Sequence, residues 1–467
     1  MRDTDIRVRE VDIFFTDERG RAPLKFGNMV MDAITYCEAR ALVETAKGEK
    51  AEGWGGMFLS DFWAFPDSRV PHAEREKAMR EIVRRYALLV TQREGYAHPV
   101  DIYWNLEDDL RRLCQEVSRE MGFAAEMPFL GGLVSASPVD AAMHDAFGNV
   151  HGLSTYECYG PEFMEHDLRR YLGPDFADLY IADYIRKSYS PRLPVFHLVG
   201  GLDKLRSSEV TDDDPKDGLP NSLDDWIARN GATCLKIKLK GTDLEWDVQR
   251  TVDAANIAHE MHQRKREGAT LSLSADTNEL CESPDYMIEY LHRVKELSPR
   301  TYDELLYIEQ PTERDLKAHR FDMRKLGAMK PVMVDESLTG VQDFDLAMEL
   351  GWSGIALKAC KCQSAELVIS SKAAQMGVPY TVQDLTNPGL ALIHSVGLAA
   401  RLDPLKGVES NGMQYFPASS EPEAKVHTGI FHPTDGMVST ESMTGPGLGY
   451  RINEIRRSRP EPIRIGG

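Results

Sequence analysis

The sequence predicts a (β/α)7β barrel of the TIM type, with an N-terminal α+β capping domain that the C-terminal segment completes. Between residues 193 and 416, short apolar runs alternate with helical stretches, with one such unit in roughly every 25–40 residues. Several runs end on a charged residue, as strands do whose C-terminal ends form one face of a barrel. Alternating apolar and polar residues at positions 6–15 predict a separate half-buried sheet ahead of the barrel.

The composition is that of a globular protein. The chain has 467 residues, enough for two or three structural units, and its net charge of −19 argues against nucleic acid or an anionic membrane as a partner. Seven scattered cysteines are typical of free thiols in a reducing compartment. The N-terminus lacks the apolar stretch of a secretory signal, and no apolar run approaches the length of a bilayer span. We therefore expect a cytoplasmic protein.

Residues 1–160 are expected to form the α+β cap. Its predicted strands are 6–15, 33–44 and 51–58, and its predicted helices are 73–93, 105–121 and one from Ser137 onward. Pro138 favours a helix start at Ser137, and glycine and proline predict a loop over Asp17–Gly27. The aromatic run Trp54–Phe65 is either a local core or a lid that excludes water from a neighbouring site.

The other boundaries follow from composition and periodicity. Residues 161–192 are polar, aromatic and punctuated by proline, and are expected to be an insertion or linker. Residues 193–416 form the predicted barrel, and 417–467 a loop-rich segment expected to return to the cap. The eight predicted barrel strands begin at Leu193, Cys234, Leu271, Leu305, Pro331, Gly354, Val378 and Gly407.

Three consecutive barrel strands end on a carboxylate: Asp276, Glu309 and Asp335. Because parallel barrel strands end at the same face, these side chains are expected to converge. Carboxylate oxygens suit a hard divalent cation, and we expect one Mg²⁺, with Mn²⁺ as a possible replacement. The alternative is that acidic residues simply follow strands, because Asp and Glu are common in the connecting loops.

Lysines mark two other strands. The second strand contains Lys236, Lys238 and Lys240 in alternation, which places all three on one face, and Lys358 ends the sixth strand. Burial and neighbouring ammonium groups lower the pKa of a lysine and make it a usable general base, whereas a solvated strand edge is the alternative interpretation. Strands two and six lie nearly opposite in an eight-stranded barrel, so Lys238 and Lys358 are expected to exchange protons with two faces of one carbon. With the metal, this predicts abstraction of the proton α to a substrate carboxylate through a metal-stabilised enediolate.

These motifs resemble those of the enolase superfamily, most closely its muconate-lactonizing-enzyme subgroup within the mandelate racemase/muconate lactonizing enzyme family. In the family's order, they are Lys236-x-Lys238, Asp276-x-Asn278, Ile308-Glu309-Gln310-Pro311, Asp335-Glu336-Ser337 and Ala356-Leu357-Lys358. The resemblance implies that Asp276, Glu309 and Asp335 bind magnesium. It implies that Lys238 and Lys358 are the acid/base pair, that Lys236 is the first lysine of the K-x-K pair, and that Asn278 and Glu336 support the ligands.

The resemblance also implies a small carboxylate substrate and a homo-oligomer. Substrate choice is expected to depend on cap residues within Lys25–Met31 and Trp54–Phe65. This chain is longer than is usual for the family, with extra residues around Phe65–Gly132 and Gly160–Arg192.

The reaction itself stays open. Opposed lysines favour a racemase or epimerase, while a cycloisomerase and an acid-sugar dehydratase share the first step, and a non-catalytic ligand-binding barrel is a further alternative. Lys240 is an alternative base to Lys238. Glu409 stands where dipeptide epimerases of the subgroup carry D-x-D, and Asp384 follows a strand that lacks the histidine of the dehydratase His–Asp dyad. Asp384, Glu409 and Trp54 are the candidate substrate contacts.

Overall fold

A closed parallel barrel and a smaller antiparallel sheet, each with its own helices, make up the structure. It is a computed structural model that describes residues 1–26, 29–265 and 268–467, with side chains described outside 23–32 and 265–267. The barrel sheet closes because its last strand pairs with its first, and the cap sheet has four strands. The predicted barrel beneath an α+β cap is confirmed.

The cap sheet begins with a long hairpin. The cap elements are strands β1 (Ile6–Phe26), β2 (Met29–Thr45) and β3 (Lys50–Phe58) and helices α1 (Asp61–Ala64), α2 (His72–Gln92), α3 (Pro99–Glu120) and α4 (Phe129–His151). Strand pairing extends from Ile6 with Thr45 to Phe26 with Met29, so the loop predicted over Asp17–Gly27 is wrong as far as Phe26; Gly27 lies outside the described residues. A break in register between Arg19 and Leu24 accommodates the glycine and the proline that predicted a loop.

Helix α4 begins earlier than predicted. It starts at Phe129 and contains Pro138 in its interior, so the start predicted at Ser137 is wrong. Proline has no N–H to donate to the carbonyl four residues earlier. Here the Ser137 hydroxyl donates to the Val134 carbonyl at 2.9 Å, which satisfies that acceptor within the helix.

The glycine-rich run of β3 lies directly against α4. A Cβ atom at Gly53 would lie 2.0 Å from the backbone nitrogen of Ala146, and one at Gly55 would lie 2.2 Å from the carbonyl oxygen of Pro138. Only glycine allows so close an approach between strand and helix.

The segment between cap and barrel is packed against both. It contains the short helix α5 (Arg169–Leu172). The hydroxyl of Tyr171 donates to Asp101 of α3 at 2.8 Å. On the barrel side, the N–H of Arg186 donates to the carbonyl of Arg401 at 2.7 Å. The segment predicted as an insertion or linker therefore contacts both parts of the fold.

Eight parallel strands form the barrel, and seven βα connections join them. The strands are β4 (Arg192–Val199), β5 (Cys234–Lys238), β6 (Ser272–Asp276), β7 (Leu305–Glu309), β8 (Val332–Val334), β9 (Gly354–Lys358), β10 (Tyr380–Gln383) and β11 (Val408–Glu409). The connecting helices are α6 (Leu223–Asn230), α7 (Leu244–Lys265), α8 (Pro284–Leu297), α9 (Pro299–Glu304), α10 (Arg324–Gly327), α11 (Val341–Glu349), α12 (Gln363–Gln375) and α13 (Gly389–Arg401). All eight predicted strands are present.

The C-terminal segment contacts both sheets. The short helix α14 (Gly412–Tyr415) precedes this segment, which contains α15 (Glu421–Ala424), α16 (Thr428–Phe431), β12 (Met437–Ser439) and β13 (Ile463–Gly466). Strand β13 pairs antiparallel with β1, which confirms that this segment completes the cap, and β12 pairs antiparallel with β4 of the barrel. Among the described helices, none is long and apolar enough to cross a bilayer.

The contact between β3 and α4 predicts a severe effect of one added methyl group. We expect Gly55→Ala to lower the free energy of unfolding by about 3 kcal/mol, because the methyl must displace helix backbone. Urea denaturation of the full chain measures the change. Gly201→Ala is the matched control, since nothing lies within 4 Å of a Cβ atom there and it should remain close to wild type. Equal stability of the two variants would contradict the close approach.

Candidate active site

The C-terminal ends of adjacent strands bring the predicted charged residues together. In the strand register, Lys238 of β5 lies beside Asp276 of β6, and Asp276 lies beside Glu309 of β7. Asp335 directly follows β8. All three carboxylates have no exposed surface. The structure thus places Asp276, Glu309 and Asp335 at one buried end of the barrel, as predicted.

An ammonium group contacts each carboxylate. The pairs are Lys238–Asp276 at 2.5 Å, Lys236–Glu309 at 2.7 Å and Lys358–Asp335 at 2.7 Å. Lys236 also lies 3.2 Å from Asp276 and 3.0 Å from Glu409, and it donates to Gln383 at 3.2 Å. Buried charges are tolerated when they are paired and hydrogen-bonded in this way. The lysines of β5 and β9 therefore point into the site rather than to solvent.

A fourth buried lysine, Lys361, was not identified from the sequence. It follows β9 in a short 3-10 turn, and its ammonium donates to the backbone carbonyl of Asp335 at 2.7 Å and to Oδ1 of the same residue at 3.1 Å. It also donates to the Ala356 carbonyl at 3.3 Å. In the sequence, the feature that could have identified it is a lysine within the otherwise apolar run from Ala359 to Cys362. Asp335 therefore contacts two ammonium groups.

Two carboxyl groups at this end of the barrel have raised pKa values. Burial, together with nearby Asp276, raises the pKa of Glu309 to about 8, and burial next to Asp335 raises the pKa of Glu336 to about 7. Burial alone would also raise the pKa of Asp276 and of Asp335. Their lysine partners nevertheless hold both pKa values well below the usual range.

Gln310 ties the end of β7 to the end of β8. Its side-chain oxygen accepts from the N–H groups of Asp335 at 2.8 Å and Ser337 at 3.3 Å, and its amide nitrogen donates to the Ser337 hydroxyl at 2.7 Å. Its backbone φ of +30° lies in a region that L-residues rarely adopt. A strained backbone of this kind is typical of positions that the surrounding structure over-determines. Here the hydrogen bonds of Gln310 hold Asp335 and Ser337 against the end of β7.

Asn278 and Glu336 lie behind the lysines and carboxylates. The side-chain oxygen of Asn278 accepts from Lys238 at 3.0 Å, and its amide nitrogen donates to Oε1 of Glu336 at 3.0 Å. The indole N–H of Trp63, from the cap, donates to the same oxygen at 3.0 Å. Trp63 also lies over the ammonium of Lys358, 4.5 Å from the ring centre. The cap thus covers the cluster with one aromatic ring.

The turn that carries Trp63 is fixed by charged contacts. Asp61 in the same helix accepts from Nε of Arg75 at 2.8 Å and from Nδ1 of His72 at 2.9 Å. From the barrel side, Arg314 donates to the carbonyl of Trp63 at 3.1 Å. The local-core interpretation of the aromatic run is supported, because Phe65 and Trp63 are both buried in the cap core. The lid interpretation stays a prediction, and Trp63 is the residue of the run that lies over the barrel cluster.

Two residues proposed from the sequence lie elsewhere. Trp54 stacks on Phe14 with ring centres 5.7 Å apart and lies under the guanidinium of Arg459 at 4.2 Å, so the geometry does not support Trp54 as a substrate contact. Lys240 lies beyond the end of β5, where its ammonium pairs with Asp243 at 2.9 Å, so it is outside the cluster. The side chains of 25–31, assigned to substrate choice, are outside the described residues.

Asp384 and Glu409 differ in their surroundings. Glu409 belongs to the cluster through Lys236 and accepts from Asn411 at 2.6 Å. Both oxygens of Asp384 are instead occupied within its own loop and helix, by the N–H and side chain of Asn387 and by the Ser395 hydroxyl, at 2.6–2.9 Å. These partners occupy the carboxylate that the sequence predicts as a candidate substrate contact, and burial raises its pKa to about 7.

The loop after β10 supports the cap. The side-chain oxygen of Asn387, oriented by Asp384, accepts from the backbone N–H of Phe58 at 3.0 Å. Phe58 ends β3, directly ahead of the turn that carries Trp63. Asp384 therefore positions a contact between barrel and cap.

Comparison with known proteins identifies the family. The sequence profile of the family described as Enolase C-terminal domain-like matches residues 219–456, which are 238 of the 467 residues. The chain belongs to this family. The resemblance to the enolase superfamily, within the mandelate racemase/muconate lactonizing enzyme family, is thereby confirmed. No curated protein matches the sequence.

Solved structures of the enolase superfamily share the fold along nearly the whole chain. A dipeptide epimerase from Enterococcus faecalis, complexed with Mg and the dipeptide L-Leu-L-Tyr, has a TM-score of 0.61 at 14% identity and covers 95% of this chain and 99% of its own. A muconate lactonizing enzyme from Mycobacterium smegmatis, complexed with muconolactone, has a TM-score of 0.60 at 16% identity and covers 97% of this chain and 100% of its own. An N-succinyl Arg/Lys racemase from Bacillus cereus has a TM-score of 0.60 at 14% identity and covers 98% of this chain and 100% of its own. At these identities the likeness shows the fold.

The donor set of this enolase-superfamily barrel fits a divalent cation. Asp276, Glu309 and Asp335 offer only carboxylate oxygens, which hard cations prefer. In the described part of the chain, no three His, Cys, Asp or Glu side chains converge as a ready-made cage. Instead the ammonium of Lys236 stands between oxygens of Asp276 and Glu309, at 3.2 and 2.7 Å, as a cation does between its ligands.

The contacts of Asp384 predict a structural role. We expect Asp384→Ala to lower the free energy of unfolding by about 3 kcal/mol, because it leaves buried donors of Asn387 and Ser395 unpaired. Urea denaturation measures the loss. Asp403→Ala is the control, because that carboxylate is 81% exposed and its pairing with Arg186 is at the surface. A variant of Asp384 with wild-type stability and weakened substrate binding would instead support the substrate contact.

Proposed function

We propose that this chain is an enzyme that removes the proton α to a carboxylate of a small substrate and returns a proton to the opposite face, as a racemase or epimerase does. The observation that carries the proposal is the placement of Lys238 and Lys358. They end β5 and β9, which are separated by three strands in an eight-stranded closed barrel, so they stand on opposite walls. The carboxylates of the intervening strands lie between them.

The proton transfers occur at the two Nζ atoms, one neutral and one charged. For one configuration of the substrate, Nζ of Lys238, as the neutral amine, takes the proton from one face while the ammonium of Lys358 delivers a proton to the other. For the opposite configuration, Lys358 is the neutral amine and Lys238 is the ammonium. Burial alone would lower the pKa of Lys358, which is the shift expected from the sequence, but Asp335 raises this pKa above its usual value. The expected lowering is therefore wrong for Lys358, and the raised pKa keeps this lysine charged as the proton donor. Asn278 orients Lys238, and Trp63 covers the site and limits entry of water.

Asp276, Glu309 and Asp335 are the residues that would hold one divalent cation, Mg²⁺ first and Mn²⁺ as an alternative. When bound, the cation supplies stabilisation of the negative charge that develops on the substrate carboxylate. Gln383 fixes Glu309 by donating to its Oε2 at 2.6 Å. The similar dipeptide epimerase from Enterococcus faecalis is complexed with Mg. This supports the choice of metal.

Cycloisomerisation and β-elimination begin with the same proton removal, and analysis of the product separates them from racemisation. A muconate lactonizing enzyme is among the similar folds, which keeps cycloisomerisation as the second candidate. Two buried lysines on opposite walls favour racemisation, because a single base suffices for elimination. A barrel that only binds a ligand would show no exchange of the α-proton with any carboxylate.

The two-base arrangement predicts complementary variants. In deuterated solvent with Mg²⁺, Lys238→Ala should keep α-proton exchange for one enantiomer of a substrate and Lys358→Ala for the other. Racemisation should fall by about 10²–10⁴-fold in both, because each removes one general acid/base. Mass spectrometry across a carboxylate library measures exchange, and chiral chromatography measures racemisation. Lys240→Ala is the control and should behave like wild type. Unchanged exchange in both variants on a true substrate would rule out the two bases.

The carboxylate set predicts stabilisation by metal. Mg²⁺ at a hundredfold excess over its dissociation constant should stabilise the folded chain by about 2.7 kcal/mol, because it binds the native state only. Thermal denaturation with and without EDTA measures this apart from activity. Glu309→Gln should lose the stabilisation, whereas Glu313→Gln, outside the cluster, should retain it. A melting temperature that does not respond to Mg²⁺ would contradict the metal site.

A further inference from the structure

A cavity adjoins the cluster of lysines and carboxylates at the end of the barrel. It has a volume of about 940 Å³ and lies between helix α3, the start of α4, and the barrel loops that follow β7 and β8. This is within the size range of ligand-binding pockets, roughly 300–1,000 Å³. Helices α3 and α4 belong to the cap, whereas the loops belong to the barrel. The cavity therefore lies where cap and barrel meet.

The walls of the cavity combine aromatic rings with excess negative charge. Its carboxylates are those of Glu107, Asp108, Glu126, Asp315, Glu336 and Asp343. The lining has only three basic side chains, those of Arg111, Arg314 and Lys317. Two of them already form ion pairs, Arg111 with Glu107 at 2.7 Å and Arg314 with Glu279 at 2.5 Å. The rings of Trp104 and Phe129 complete the wall. Carboxylates beside aromatic faces are the surroundings that bind organic cations.

One wall already holds a cation from the protein itself. The guanidinium of Arg111 lies 3.6 Å from the centre of the Phe129 ring while it pairs with Glu107. This is a cation–π contact supported by a carboxylate. The wall thus accepts a planar cation, and Arg111 occupies the place that a ligand's cation would take.

The carboxylate of Glu336 also lines the cavity. This side chain is only 2% exposed, and its Oε1 accepts from Trp63 and Asn278. Its Oε2 is buried without a hydrogen-bond partner among the described residues. A buried acceptor left unpaired costs free energy, so this oxygen favours a ligand with a donor. Because Asn278 also holds Lys238, the cavity borders the proposed proton-transfer site.

We propose that this cavity is a subsite for an ammonium or guanidinium group of the substrate. The inference rests on the proposed function and narrows its substrate class to a small carboxylate that carries a second, positively charged end away from the reacting carbon. The carboxylate end is held at the lysine cluster. The cationic end lies in the cavity among Glu336, Glu107 and the ring of Phe129, and displaces the guanidinium of Arg111.

Cation binding is tested without turnover. Butylguanidinium and its neutral analogue N-butylurea are titrated into the full-length chain by calorimetry, and only butylguanidinium should bind. Asp108→Asn with Glu126→Gln should weaken it by at least about threefold, because each removes an attracting charge. Arg111→Ala should tighten it by a similar factor, because it removes the competing guanidinium. Arg112→Ala is the matched control: its side chain is 62% exposed, pairs with Asp109 and is not part of the cavity wall.

A second experiment compares two substrates that differ only in the charged group at the end of the side chain. N-acetyl-lysine should exchange its α-proton with a higher kcat/KM than N-acetyl-norleucine, and the Asp108→Asn, Glu126→Gln variant should lower the ratio of these two kcat/KM values. If butylguanidinium binds as described and no carboxylate exchanges, the cation site stands and the proposed function fails. If carboxylates exchange but butylguanidinium does not bind, or binds all variants equally, the function stands and the cation site is wrong. Weaker binding to Arg111→Ala would also overturn the site.

Discussion

The placement of three buried carboxylates at the ends of neighbouring strands is the constraint on which the rest of the site depends. Parallel strands in register bring Asp276 beside Glu309, and both are fully buried. Buried like charges repel strongly, so the fold needs cations at the same level. Lys236, Lys238 and Lys358 supply them from other strands. The opposed lysines that carry the proposed chemistry are therefore also what makes the carboxylate cluster tolerable in the folded chain.

The cap depends on the same barrel end. Glu336, next to one of the three carboxylates, accepts from the indole of Trp63, and Asn387 accepts from the backbone at the end of β3. These contacts place the short turn after β3 over the lysines. The barrel loops that contain Glu336 and Asn387 therefore also hold the cap. A substitution in these loops is expected to affect both the shape of the site and the position of the cap.

The barrel and cap tolerate nearly complete replacement of sequence, because known folds of the superfamily overlay this chain at 14–16% identity along 95–98% of its length. Helix α3 and Tyr171 form one wall of the acidic cavity, and the barrel loops after β7 and β8 form the other. If the proposed cation subsite is correct, substrate selection can change at this cavity without alteration of the lysines.

The sequence by itself determined the barrel and the charged residues at its strand ends, because strand alternation, helix periodicity and strand-end position are local properties. Lys238, Asp276, Glu309, Asp335 and Lys358 were all recognisable for that reason. Tertiary structure alone decided that Trp63 rather than Trp54 covers the cluster, that Lys361 turns back onto Asp335, and that Asp384 supports a loop. Those outcomes depend on packing between segments far apart in the chain, and no local pattern encodes such contacts.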